Sequence, residues 1–177
     1  MEKRNIVLFI ACSLDGYIAT IDHNLEWLFS VEGEGDNGIS KFYETIDTIL
    51  LGRITYDWIM EHEKNEFPYK DKECYVFSKE RRSHTEFVTF IHTDINEFID
   101  KLKNKSGKNI WIVGGGELLK TFIAKKLVDE IIVTIAPVLI GKGIPLFREN
   151  NIQTNLFLKN INRYNQFIEL HYDVIRE

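Results

Sequence analysis

Residues 109–123, NIWIVGGGELLKTFI, join an uninterrupted apolar run to three glycines and then to a stretch with helical spacing. Glycine loses more backbone entropy on folding than any other residue, so three in succession need a conformational or steric reason. A buried strand that hands over to a helix provides one, because the turn is tight and the backbone must come close to whatever lies beside it. The construction recurs in residues 48–59, TILLGRITYDWI, where a second apolar strand meets a second helix at Gly52-Arg53. Two strand–glycine–helix joints point to parallel strands, which require crossover connections that helices normally provide.

The rest of the chain keeps this rhythm. Apolar runs NIVLFIACSL, DTILLG, ECYVFS, FVTFI, NIWIVG and DEIIVTIAPVLI alternate with amphipathic segments near 39–46, 54–62, 95–104 and 117–126, the pattern of an α/β fold. Runs that are apolar at nearly every residue fit a mainly parallel sheet with helices on both faces. The last two, LFLKNINRY and FIELHYDVI, partly alternate and fit a C-terminal antiparallel hairpin turning near Tyr164-Asn165-Gln166. A loop is expected from Asp22 to Asn37, where Gly33, Gly35, Asp36 and Asn37 cluster, and a solvated connection over 63–71. With no repeat, low-complexity tract or proline-rich linker, residues 1–177 are expected to form one domain.

Several function classes are disfavoured at once. A net charge of −5 argues against a general nucleic-acid binder, whose affinity rests on a lysine and arginine excess. No apolar run approaches the roughly 18 residues of a membrane span, and the first apolar run reads as a strand rather than a signal peptide, so a cytoplasmic protein is expected. Cys12 and Cys74 lie in separate apolar stretches without a CxxC partner and read as buried thiols. The five histidines show no metal-ligand spacing, so no metal is expected. Small-molecule or protein partners remain.

The joints themselves suggest which small molecule. Exposed N–H groups and the positive end of a helix dipole favour an anion at each glycine turn, although a tight turn would use glycine for steric reasons alone. Arg53 adds a planar fork of donors and Thr55 a hydroxyl, so the two turns could clamp a diphosphate. Ser78 and Lys79, followed by Arg81 and Arg82, close the strand CYVFS and suit the extra phosphate that separates NADPH from NADH. Asp15, in SLDG, reads as a side chain that stabilises a bend.

Taken in order, SLDGYIA, LLGRITYDWI, VFS, IVGGGELLKTFI and LVDEIIVTIAPVLIGKGIPLF resemble the dihydrofolate reductase-like superfamily over nearly the whole chain. The likeness is nearest to the reductase (RibD C-terminal) domain of bacterial riboflavin biosynthesis and its stand-alone relatives. It implies a three-layer α/β fold with NADPH across the carboxyl edge of the sheet. Gly52, Arg53 and Thr55 then match one phosphate turn, and Gly114, Gly115, Gly116, Glu117 and Leu118, preceded by Val113, match the other. Ser78 and Lys79 match the adenosine-phosphate pocket, and Ala11 and Ile18 approach the nicotinamide. Thr134 matches a threonine that supports the substrate-binding carboxylate of dihydrofolate reductases. For that carboxylate the chain offers Asp36, while the position favoured by spacing holds Asn37 or Gly38, a departure from folate reduction. Trp27, within DHNLEW, is an aromatic wall or a loop anchor, and Phe42 is expected to face substrate.

The resulting expectation is an NADPH-dependent reductase that delivers hydride to a C=N or C=O bond of a pterin- or pyrimidine-like heterocycle or a related carbonyl compound. Its proton comes from Asp36 or from a water held by Asp36 and Thr134. The alternatives are a non-catalytic NADPH-binding or sensing protein of the same fold and a plain structural protein. A homodimer is expected because symmetric pairs are the commonest oligomers and the relatives often pair.

Overall fold

The computed structural model describes residues 4–63 and 66–176. The expected connection over 63–71 includes Lys64 and Asn65, which lie outside the described residues. In chain order the elements open with β1 (Ile6–Ser13), β2 (Tyr17–Thr20), α1 (Glu26–Phe29), α2 (Ile39–Tyr43) and β3 (Ile46–Gly52). They continue with α3 (Arg53–His62), β4 (Glu73–Phe77), β5 (Val88–Ile91), α4 (Ile95–Lys103) and β6 (Asn109–Gly114). The last are α5 (Gly116–Ala124), β7 (Glu130–Ala136), β8 (Gly143–Pro145), β9 (Leu156–Tyr164) and β10 (Phe167–Val174).

Eight strands form one sheet in the order β5-β4-β3-β6-β1-β7-β10-β9. The first six are parallel, so the carboxyl ends of β1, β3, β4, β6 and β7 share one edge. β10 runs antiparallel to β7 and to β9, closing the sheet with the expected hairpin.

Strand residues alternate between faces, and each face has its own core. On one face Ile6, Leu8 and Cys12 of β1 join Ile99 and Leu102 of α4 and Leu118, Leu119 and Phe122 of α5. On the other, Val7 joins Phe42 of α2 and Tyr56 and Ile59 of α3. This double cover explains why β3 is apolar on successive residues from Ile49 to Leu51 and β4 from Cys74 to Phe77. Both thiols are buried and free, and burial pushes Cys12 up to about 11 and Cys74 to about 12. At the amino end of β1, Arg4 is 4% exposed; it donates to the Lys108 carbonyl at 2.7 Å and to Thr48 Oγ1 at 2.6 Å and pairs with Asp47, which pins β1, β3 and the loop before β6 together.

The structure departs from the sequence expectations locally. The stretch from Asp22 to Asn37 contains the single turn α1, and β2 and β8 form a two-stranded sheet of their own. α2 ends at Tyr43 rather than near 46 because Ile46 already starts β3. Helices cover both faces of the central strands, but one face of the hairpin has no helix over it: Ile161, Leu158 and Ile168 on that face are 56%, 44% and 37% exposed. Among the described residues no helix is long and apolar enough to cross a membrane.

Candidate active site at the carboxyl edge of the sheet

The two glycine joints lie against each other. β3 and β6 are neighbours, with Leu51 level with Gly114 and the register slipping by one residue at Val113. A Cβ on Gly115 would sit 3.3 Å from the Gly52 Cα and 3.3 Å from Thr55 Oγ1. The three successive glycines therefore have three different reasons. Gly114, at φ +148°, has open space where a Cβ would project; Gly115, at φ +99°, packs against the neighbouring joint; Gly116 lies beneath Arg148, whose Nε would be 2.6 Å from a Cβ.

Helix starts differ according to where they lie. α4 is capped conventionally by Asp94, which accepts from the N–H groups of Asn96 at 2.8 Å and Glu97 at 3.1 Å. α3 and α5 start at Gly52 and Gly115 with no side-chain cap. Their first-turn N–H groups, which an α-helix leaves without internal partners, face the carboxyl edge together, where helix dipole and open donors could hold an anion.

Cations gather beside this pair of turns. Arg53 donates to Asp57 at 2.9 Å, and Arg82 reaches the same carboxylate at 2.6 and 3.2 Å. Two guanidinium groups on one carboxylate leave an excess positive charge, and both side chains are about one-third exposed. Ser78 Oγ donates to the Glu80 carbonyl and accepts from the Glu80 N–H, which holds the turn after β4, and Lys79 is exposed. His92, after β5, bonds the Ser78 carbonyl at 3.0 Å through Nδ1 and accepts from the Arg82 N–H through Nε2. The carbonyl can only accept, so the ring carries its proton on Nδ1. Asp57, Arg82 and His92 thus join Arg53, Ser78 and Lys79. The i,i+4 spacing of Arg53 and Asp57 was readable in the sequence, whereas the contact with Arg82, across two elements, was not.

Not every expected residue faces the joints in the expected way. Glu117 pairs with Arg148 and is largely exposed. Leu118 is buried in the core, so only its backbone is available at the turn. Ile18 leans on the core cluster that holds Cys12 and Leu146. Phe42 is a core residue, 7% exposed and stacked on Phe9 at 4.1 Å; packing on both sides corrects its assignment as a substrate-facing ring. Trp27 is half-buried, and its indole N–H is buried with no partner among the described residues.

A second group of candidate residues forms a row across the sheet. Ala11 of β1 is level with Thr134 of β7, Thr134 with Glu169 of β10, and Glu169 with Asn162 of β9. Residues level with one another project from the same face, so the four side chains lie in line two residues inside the carboxyl ends of β1 and β7. Thr134 and Glu169 are 7% and 6% exposed. Asn162 Nδ2 donates to Glu169 Oε1 at 2.8 Å. The Tyr164 phenol has its pKa raised by burial and then by the nearby carboxylates of Glu169 and Asp36, and a Cβ on Gly38 would meet Tyr164 Oη. The turn that carries Asp36 is therefore seated beside this row.

Asp36 is held differently from a proton donor. Its carboxylate accepts from the N–H groups of Ser40 at 2.8 Å and Gly38 at 3.1 Å. Hydrogen bonding by the Ser40 side chain and backbone, then by Gly38, holds its pKa below the ordinary aspartate value on an exposed surface. A carboxyl in that state is ionised near neutrality and accepts hydrogen bonds, which corrects its expected role as the proton source. Asp15 does stabilise its bend: it accepts from Ser13 Oγ at 2.6 Å and from the N–H groups of Gly141 at 2.7 Å and Ile140 at 3.1 Å. It thereby ties the turn after β1 to the loop before β8.

A mainly parallel sheet with a terminal antiparallel hairpin and paired glycine joints at its carboxyl edge defines a dihydrofolate reductase-like α/β protein. The Enterococcus faecalis dihydrofolate reductase complexed with NADP(H) superposes with a TM-score of 0.65 at 18% identity, covering 97% of this chain and 97% of that one. The chain belongs to the RibD C-terminal domain family, whose family model matches residues 4–170. Its relatives include the uncharacterized protein YwjB of Bacillus subtilis (strain 168), 48% identical over 174 residues, 96% of this chain and 98% of YwjB. A protein of Shewanella sp. PV-4 named for riboflavin biosynthesis superposes with a TM-score of 0.88 at 28% identity, covering 97% of this chain and 99% of that one.

Proposed function

We propose that the protein is an NADPH-dependent reductase that transfers hydride to a C=N or C=O bond of a pterin- or pyrimidine-like heterocycle or a related carbonyl compound. The observation that carries this reading is the pair of uncapped glycine joints in contact at one sheet edge, with Arg53 and Arg82 beside them. Membership of a family named for RibD adds support, as does the likeness in fold to a dihydrofolate reductase complexed with NADP(H).

The residues present fit the cofactor. The N–H groups that open α3 and α5 would hold its diphosphate, with Thr55 alongside. Gly114, open on its Cβ side, would let the backbone approach closely. Arg53, Arg82, Ser78 and Lys79 would hold the extra phosphate, and Ala11 would lie against the nicotinamide. When bound, NADPH would supply hydride. The chain's own part is to orient the substrate against the row formed by Ala11, Thr134 and Glu169, to exclude water with the turn around Gly38 and Tyr164, and to pass a proton from solvent through the Thr134 hydroxyl.

The uncovered apolar face of the hairpin supports a homodimer: Leu158, Ile161 and Ile168 would leave water against a second copy. Oxidation of NADPH in the presence of a panel of pterins, pyrimidines and dicarbonyls tests the catalytic reading. Turnover with any of them supports it, whereas tight NADPH binding without turnover favours the sensing protein.

A further inference from the structure

Burying a carboxylate is costly unless its oxygens find partners. Glu169 is 6% exposed, yet among the described residues a single side-chain hydrogen bond, from Asn162, reaches it. Beside it, Thr134 is 7% exposed, and its hydroxyl has no hydrogen-bond partner among the described residues. Thr134 Oγ1 and Glu169 Oε2 are without partners among the described residues yet are not among the fully buried polar atoms, so on two otherwise buried side chains, level with each other on one face of the sheet, these oxygens are open to a ligand.

We propose that Glu169 is the substrate-anchoring carboxylate of this site, accepting the N–H edge of a flat nitrogen heterocycle, with the Thr134 hydroxyl bonding the adjacent ring position. A carboxylate can accept two parallel N–H bonds, the pattern that an amino group and a neighbouring ring N–H present. Asn162 fixes the carboxylate through Oε1 and acts as a positioning residue. Asp36 also lies near the Tyr164 phenol, but both its oxygens accept from backbone N–H groups, which leaves Glu169 as the carboxylate with an oxygen to spare. The inference deepens the reductase reading and rests on it for the identity of the ligand.

The probe is 2,4-diaminopyrimidine, whose binding to the full chain is measured by calorimetry without cofactor, with NADPH titrated separately on the same samples. Glu169→Gln keeps the volume and replaces an acceptor by a donor, so affinity is expected to fall roughly ten- to a hundredfold, as for a charge-assisted contact. Glu169→Asp should recover part of the loss, and Asn162→Ala should show a smaller one. Equal affinity of wild type and Glu169→Gln overturns the proposal, as does a wild type that binds NADPH but not the probe. Probe binding that depends on Glu169 in a protein that takes up no NADPH supports the anchoring role and sinks the reductase reading instead. Should Glu169→Gln fail to fold, Asn162→Ala decides: weakened probe binding supports the anchor, and wild-type affinity overturns it.

Discussion

Replacing Gly115 by alanine should destabilise the protein more than the same change at Gly52, although the two glycines touch. Gly115 sits at φ +99° and ψ 104°, a conformation that an L-residue holds at a cost of about 1–3 kcal/mol. Its new methyl would meet the Gly52 Cα and Thr55 Oγ1 at 3.3 Å, closer than side chains normally pack, and strand β3 holds the Gly52 backbone in place. Together these effects predict a loss of about 2–3 kcal/mol. For a chain of this size that lowers the melting temperature by roughly 4–12 °C. Gly52, at φ −79° and ψ 150°, has an ordinary extended backbone, and its Cβ would find its neighbours at 3.5–3.6 Å. Gly52→Ala should therefore change stability by no more than about 0.5 kcal/mol. Thermal and urea denaturation of the two variants, followed by circular dichroism, decides the matter. A Gly115→Ala protein as stable as Gly52→Ala would refute the packing assigned to the joint.

Ile161→Glu, on the uncovered hairpin face, should convert the proposed homodimer into a monomer by sedimentation at unchanged secondary structure; an unaltered sedimentation coefficient would remove this face from the interface. Asp15 and Asp36 have pKa values depressed by their hydrogen bonds, that of Ser13 first for Asp15 and those of Ser40 first for Asp36. In that case the unfolded chain binds more protons than the folded one as pH falls. Their stabilisation is complete above the ordinary aspartate value of about 3.9 and is lost as pH drops below it. Asp15→Asn should flatten that acid limb of a stability–pH curve, and an unchanged limb would show that Asp15 does not contribute.

The central strands and both glycine joints were legible because double burial writes a continuous apolar run and a tight turn writes glycine. The sheet of β2 and β8 was not, since four residues against three, one of them Pro145 and one Gly143, carry no periodicity. In FIELHYDVI the partial alternation marks a hairpin strand but leaves open which of its two faces is buried. In the structure Glu169 is buried at 6% and Ile168 is 37% exposed, because the face that carries Ile168 has no helix over it and the face that carries Glu169 turns toward Thr134. Period alone gives two faces and does not say which is covered. Asp36 shows the converse: its type and place suited a proton donor, but backbone N–H groups two and four residues on take up its oxygens. Phe42 lies in the expected helical segment, yet stacking on Phe9 makes it core rather than a substrate-facing ring.

The most direct test of the nucleotide site is equilibrium binding of NADPH and NADH to the wild type and to Arg53→Ala, read from tryptophan fluorescence. The wild type should prefer NADPH, and the variant should lose roughly ten- to a hundredfold in NADPH affinity with a smaller loss for NADH, since one charge-assisted contact to the extra phosphate is removed. Equal losses for the two cofactors would displace that phosphate from Arg53, and absence of binding by either at millimolar concentration would contradict a dinucleotide site at the paired glycine joints.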